Sequence, residues 1–154
     1  MVTDELQRRD IPSIGASLLV PATWEDLSDD VDDVVAAWGA PFEPVAFRSN
    51  VVVTQDQVPA DTPWATLAEQ TWQAMGAMLT DAHLVDETQS DASLERWVHH
   101  RVAEVGVVLH QVTLRQGDRV ITTSVTVPVL ALPDVVDAVR EVAAGLRVDR
   151  EAQA

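Results

Sequence analysis

Residues 94–127 read LERWVHHRVAEVGVVLHQVTLRQGDRVITTSVTV. Valine, leucine, isoleucine and threonine dominate. The run is broken twice, by Ala103-Glu104-Val105-Gly106 and by Gln116-Gly117-Asp118. β-Branched residues suit the pleated surface of a sheet, and a glycine in a short loop supplies the positive φ that a hairpin turn needs. Three strands are therefore expected, at 94–102, 106–115 and 119–127, with a weaker fourth before them at 83–89. Turns this short permit only antiparallel pairing.

A sheet of this kind needs a cover, and the flanking sequence offers helices. After Pro128 and Pro133, Leu132, Val135, Val136, Val139, Val142, Ala143 and Leu146 fall on one helical face, with Asp134 and Asp137 early and Arg140 and Arg147 late, as the helix dipole favours. Upstream, Asp61 or Thr62 can cap a helix with Pro63 in its first turn. Its inner face would carry Trp64, Leu67, Ala68, Thr71, Trp72, Met75 and Leu79. The tryptophans and methionine of that stripe are expected to be core. Further upstream, residues 14–20 and 45–54 read as strands. Val31, Val34, Val35 and Trp38, spaced 0, 3, 4 and 7 behind a Ser28-Asp29 cap and ahead of Gly39, read as a helix between them. The expected order is β-α-β-α-β-β-β-β-α: an α+β fold with a mostly antiparallel sheet covered by helices. Residues 11–148 would form one domain, between flexible tails at 1–10 and 149–154.

The chain has 154 residues, and 47% hydrophobic with 23% charged residues is a globular composition, so a packed core is expected. There are 25 acidic residues against 10 basic ones, for a net charge of −15, and every basic residue is arginine. Such an acid is repelled by nucleic acid and by anionic lipid. The absence of cysteine excludes disulfides, thiolate zinc sites and a cysteine nucleophile, and the absence of lysine excludes a Schiff base and a phosphate-loop lysine. No apolar run approaches the ~20 residues of a membrane-spanning helix. The polar, acidic residues 1–10 lack the basic and apolar regions of a secretory signal, so a cytoplasmic location is expected. The densest acids, Glu25, Asp26, Asp29, Asp30, Asp32 and Asp33, read as a helix N-terminus and solvated loop. A calcium-loop register from Asp26 fails, with Val31 at the glycine position and Ala37 at the final ligand.

Two motifs add a resemblance. Pro21-Ala22-Thr23-Trp24 is similar to the proline-to-tryptophan step after the first strand of DcrB-like and LpqN-like proteins. Phe47-Arg48-Ser49-Asn50-Val51-Val52-Val53 resembles their second-strand motif. The order of the later elements matches as well, over roughly residues 11–147. The resemblance implies a PsbP-like α-β-α sandwich and a non-enzymatic binding protein. Some relatives are secreted or lipid-anchored, and one cytoplasmic group chaperones apolar segments of secreted toxins. This chain lacks the lipoprotein cysteine, and has Asp91-Ala92-Ser93 where relatives often place a glycine-containing turn. The family motifs bring no catalytic residues with them.

Glycines at 15, 39, 76, 106, 117 and 145 form no dinucleotide or phosphate loop, and neither a G-x-S-x-G elbow nor an H-E-x-x-H pair is present. No enzyme activity, cofactor or metal is expected. The candidate site comes from register. Pairing Val102 with Val107 sets His99 opposite His110, and a Gln116-Gly117 loop sets His110 opposite Thr123. One face would then carry Trp97, His99, Arg101, Val108, His110, Val112, Ile121, Thr123 and Val125. Histidines on such a face are most often hydrogen-bonded residues beneath a helix or at a rim. An aromatic, an arginine and histidines among valines also make a mixture suited to binding. Trp97, His99, Arg101 and His110 are the expected partner-binding residues. The expected function is a binding module for a protein or apolar peptide, with a secretion-associated chaperone or adaptor as the role the resemblance implies. The alternative is a small-molecule or cation site with an enzyme-like His99–His110 pair. A free antiparallel edge could also pair with a second copy, giving a homodimer.

Overall fold

The computed structural model describes residues 5–41 and 47–149. Within them the chain forms β1 (Leu6–Ile11), β2 (Ala16–Pro21), β3 (Glu25–Asp26), β4 (Ala36–Gly39), β5 (Asn50–Gln57), α1 (Trp64–Met78), β6 (Thr80–Gln89), β7 (Ser93–Val102), β8 (Val105–Gln116), β9 (Arg119–Pro128), α2 (Leu132–Ala144) and β10 (Arg147–Val148). Short 3₁₀ turns at Pro12–Ile14 and Val129–Ala131 lead into β2 and α2. A seven-stranded sheet runs β3-β4-β5-β9-β8-β7-β6, and a small sheet runs β1-β2-β10. Every pairing is antiparallel. The molecule is the expected α+β sandwich with a mostly antiparallel sheet, although its element order differs.

The large sheet has two packed faces. On one, Val51, Val53, Ile121, Val125 and Val127 meet Val139, Val142 and Ala143 of α2 and Leu18 and Val20 of the small sheet, with Trp38 in the same core. On the other, Leu94, Val98, Val107 and Val120 are buried, and α1 turns Leu67 and Ala68 inward. Alternation along β7 and β9 follows from the period-2 geometry of a strand: buried and half-buried residues succeed one another over residues 93–100 and 121–128.

The expected helix over residues 28–38 does not form. Leu27 N donates to Ala37 O at 2.8 Å, Ser28 Oγ accepts from Ala37 N at 3.0 Å, and Val35 N donates to Val53 O at 2.8 Å, so the segment folds back as a β3–β4 hairpin. Asp33 has φ 62°, which no continuing right-handed helix allows. The helical spacing of Val31, Val34, Val35 and Trp38 was therefore coincidental, and Ala36–Gly39 pairs instead with Val53 to Asn50. Gly39 belongs there for space: a Cβ would lie 2.7 Å from Leu27 Cδ1 and 2.8 Å from Arg48 Nε. The acidic residues Asp29, Asp30, Asp32 and Asp33 are all exposed in this loop. Ser28 hydrogen bonds hold the Asp26 carboxyl below its usual pKa.

Two boundaries also shift. Residues 6–10, assigned to the tail, form with Ile11 an edge strand on β2, where Arg8 Nη1 donates to Ser17 Oγ at 3.0 Å and to Gly145 O at 3.1 Å. The last helix stops at Ala144, so Arg147 lies in β10 rather than in the final helical turn. Of the expected strand 45–54, residues 45 and 46 lie outside the described residues, and pairing starts at Asn50.

Candidate functional site

The face predicted from register is real, but its pairings are offset by two residues. Val102 pairs with Val105 across an Ala103-Glu104 turn, and Gln116 pairs with Arg119 across Gly117-Asp118. Ala103 takes φ 51°, a left-handed conformation that disfavours a side chain, which is why the glycine at 106 looked like the turn residue. Gly106 instead lies in β8 beneath His99, where a Cβ would approach His99 Nε2 to 3.3 Å. A shift of two leaves each side chain on its predicted face. It changes the partners: Trp97 stands opposite His110, and His99 opposite Val108. The His99–His110 pair of the alternative reading does not form. His99 has a histidine opposite it on its other side, His83 of β6. Among the described residues no group of three histidine or carboxylate side chains could hold a metal ion.

The four candidate residues run from interior to surface. His110 is 1% exposed and stacks on Trp97, with ring centroids 3.8 Å apart at 46°. Its Nε2 lies 3.4 Å from Glu95 Oε1, and its Nδ1 has no partner. Burial, with a smaller contribution from the Arg140 charge, pushes the imidazole down to about 4. It is neutral at pH 7, so it belongs to the floor of the sheet and is not a contact surface. Trp97 is half-buried, and the Arg140 guanidinium sits 5.6 Å from its ring centroid. His99 is half-buried and Arg101 is exposed, its Nη2 3.0 Å from Asp81 Oδ2. Helix α2 lies over β8 and β9. Beyond it, the same face continues as an open shelf: Trp97, His99 and Glu95 of β7 with their β6 neighbours Asp86, His83 and Thr88.

The arginines of the strand half do not form a free basic patch. Arg96, 1% exposed, lies on the opposite face, where its guanidinium donates to Glu87 Oε1 at 3.0 Å, to Thr71 Oγ1 at 2.7 Å and to Ala68 O. Arg115 donates to the carbonyls of Pro59, Ala60 and Thr62 and lies over the Trp64 ring, and Arg119 reaches Ile14 O at 3.2 Å. A planar fork of five donors suits such carbonyl stapling. Sequence reasoning missed this role because the acceptors are main-chain oxygens of remote loops.

It also understated β6. Across Thr80–Gln89 every residue except Ala82 is exposed, and the strand ends the large sheet. Val85, at a bulge, is 67% exposed. A shallow cleft elsewhere, lined by Gln57, Val58, Pro59, Ala60 and Asp118, presents Asp118 as its one titratable side chain.

The architecture is that of the PsbP/Mog1-like sandwiches. The Ran-binding protein Mog1p of Saccharomyces cerevisiae superposes with a TM-score of 0.71 at 13% identity, over 98% of this chain and 100% of that one. Cyanobacterial PsbP (CyanoP) from Synechocystis sp. PCC 6803 gives 0.67 at 16% identity, over 97% and 95%. LpqN of Mycobacterium tuberculosis, involved in cell envelope biogenesis, gives 0.64 at 12% identity, over 92% and 89%. At these identities the likeness is one of fold. No family model matches the chain, and no curated protein does. No helix among the described residues is long and apolar enough to cross a membrane.

Proposed function

We propose that this protein is a non-enzymatic binding module for a protein partner, which it engages at the uncovered β6–β7 end of the large sheet. One observation carries this reading: α2 stops short of that end, leaving Trp97 and His99 half-buried beside an exposed strand. Partly covered aromatic and polar groups on a rigid sheet are ready-made contact residues, because their orientation is already fixed. The fold supports the reading, since a Ran-binding protein is built on it. An apolar-peptide or chaperone role would use the same shelf, and a cytoplasmic setting would suit it.

Affinity capture from native lysate tests the proposal. The wild-type protein should retain a specific protein, His99→Asp should lose it by about tenfold, and Asp30→Lys, on the opposite edge, should keep it. Equal retention by both variants, or none by the wild type, would contradict it.

A further inference from the structure

We infer that the free edge of β6 is a strand-addition site for an extended, Lys- or Arg-bearing segment of the partner; the inference rests on the binding-module reading above. Four observations lead there. Strand β6 terminates the seven-stranded sheet, so one side of its main chain has no strand to pair with. Residues 83–89 are all exposed, with α1 packing against the strand on the Arg96 face only. The bulges lie in its first part, between Thr80 and His83 and between Leu84 and Asp86. From Asp86 to Gln89 the register against β7 is unbroken, leaving a regular template of four residues.

The fourth observation is charge. Asp86 and Thr88 share a face with Glu95, whose side chain is 44% exposed, while Glu87 stands on the other face with Arg96. The nearby guanidiniums are committed: Arg96 is buried against Glu87, Thr71 and Ala68, and Arg101 is paired with Asp81. An added strand would thus find the carboxylates of Asp86 and Glu95 beside one of its faces, while Glu87 on the other is already paired with Arg96. A second copy would bring its own Asp86 and Glu87 against this edge, within a molecule of net charge −15, so self-pairing is disfavoured. A cationic strand supplies the missing charge and takes the main-chain hydrogen bonds at once.

The test uses three labelled ten-residue peptides with the intact protein. One alternates Lys with Thr and Val, the second replaces each Lys by Glu, and the third is the Lys peptide N-methylated at every residue so that neither edge can donate. Anisotropy gives affinities, and amide hydrogen exchange locates the contact. The Lys peptide should bind about tenfold more tightly than either control, weaken about tenfold from about 50 to about 300 mM NaCl, and slow exchange within residues 86–89. Asp86→Lys, an exposed substitution, should weaken it about fivefold. Equal binding of the N-methylated peptide would overturn strand addition, as would protection elsewhere on the chain. So would concentration-dependent protection of residues 86–89 without peptide, which would identify a second copy as the occupant. If the peptides fail while His99→Asp still abolishes partner capture, the mode of contact is overturned and the binding-module reading stands. If the peptides fail and the wild-type protein captures no partner either, the reading itself falls.

Discussion

His110 and Arg96 are polar groups inside the protein, and each makes a measurable demand on stability. The His110 imidazole is held at about 4 by burial, with Glu95 and Arg140 the charged groups nearest it. An unfolded histidine titrates near 6.5. Between these values the unfolded state takes the proton first, so stability is full above pH 6.5 and falls as the pH drops towards 4. This one group should contribute a loss on the order of 3 kcal/mol across that window. Carboxylates titrate in the same range, so the comparison with His110→Phe isolates the effect: urea titrations should show a shallower acid slope for the variant. Parallel slopes would place the imidazole in contact with water. Arg96 has the opposite role. Its removal deletes the bonds that tie Thr71 Oγ1 and the Ala68 carbonyl of α1 to the sheet and leaves Glu87 without its cation, so Arg96→Ala should lower stability by about 2–4 kcal/mol at unchanged m-value in urea. A loss below about 0.5 kcal/mol would mean that the bonds are replaced by water.

At the scale of elements, α1 is held by packing more than by its own sequence. Its N-cap, Pro63, makes no side-chain capping bond, and Gly76 interrupts its last turns. A Cβ at Gly76 would meet nothing within 4 Å. Gly76→Ala should therefore stabilise the protein by about 0.5–1 kcal/mol, read as a raised urea midpoint. A lowered midpoint would mean that the helix needs that flexibility. What could be read from sequence also divides by element. The strands β7 to β9 and both helices were legible because burial imposes a period of 2 or 3.6 on their side chains, whereas the almost wholly exposed β6 showed only as a weak strand at 83–89. The β3–β4 hairpin was not, because Val31, Val34, Val35 and Trp38 imitate a helix, and the left-handed Asp33 that breaks it leaves no compositional mark. Strand β1 was hidden by polar residues such as Arg8, whose partners lie across the fold. The candidate face survived a two-residue register error because such an error preserves parity; the contacts across it did not, since Ala103 turns where a glycine was expected.

At the scale of the whole molecule, the acidic excess lies at both ends of the large sheet. Asp29, Asp30, Asp32 and Asp33 skirt the β3–β4 edge, and Asp86, Glu87 and Glu95 line the β6–β7 end. The charge that argues against nucleic acid and anionic lipid is thus the same charge on which the proposed cationic partner rests. The two ends differ in what lies beside the charge: a loop at one, and at the other a regular strand with the half-buried Trp97 and His99 next to it. Photo-crosslinking in native lysate compares them directly, with a benzophenone side chain placed at residue 85 or at residue 30. A discrete crosslinked protein from residue 85, and none from residue 30, is the predicted result. The reverse pattern would contradict the assignment of the β6–β7 end as the binding surface.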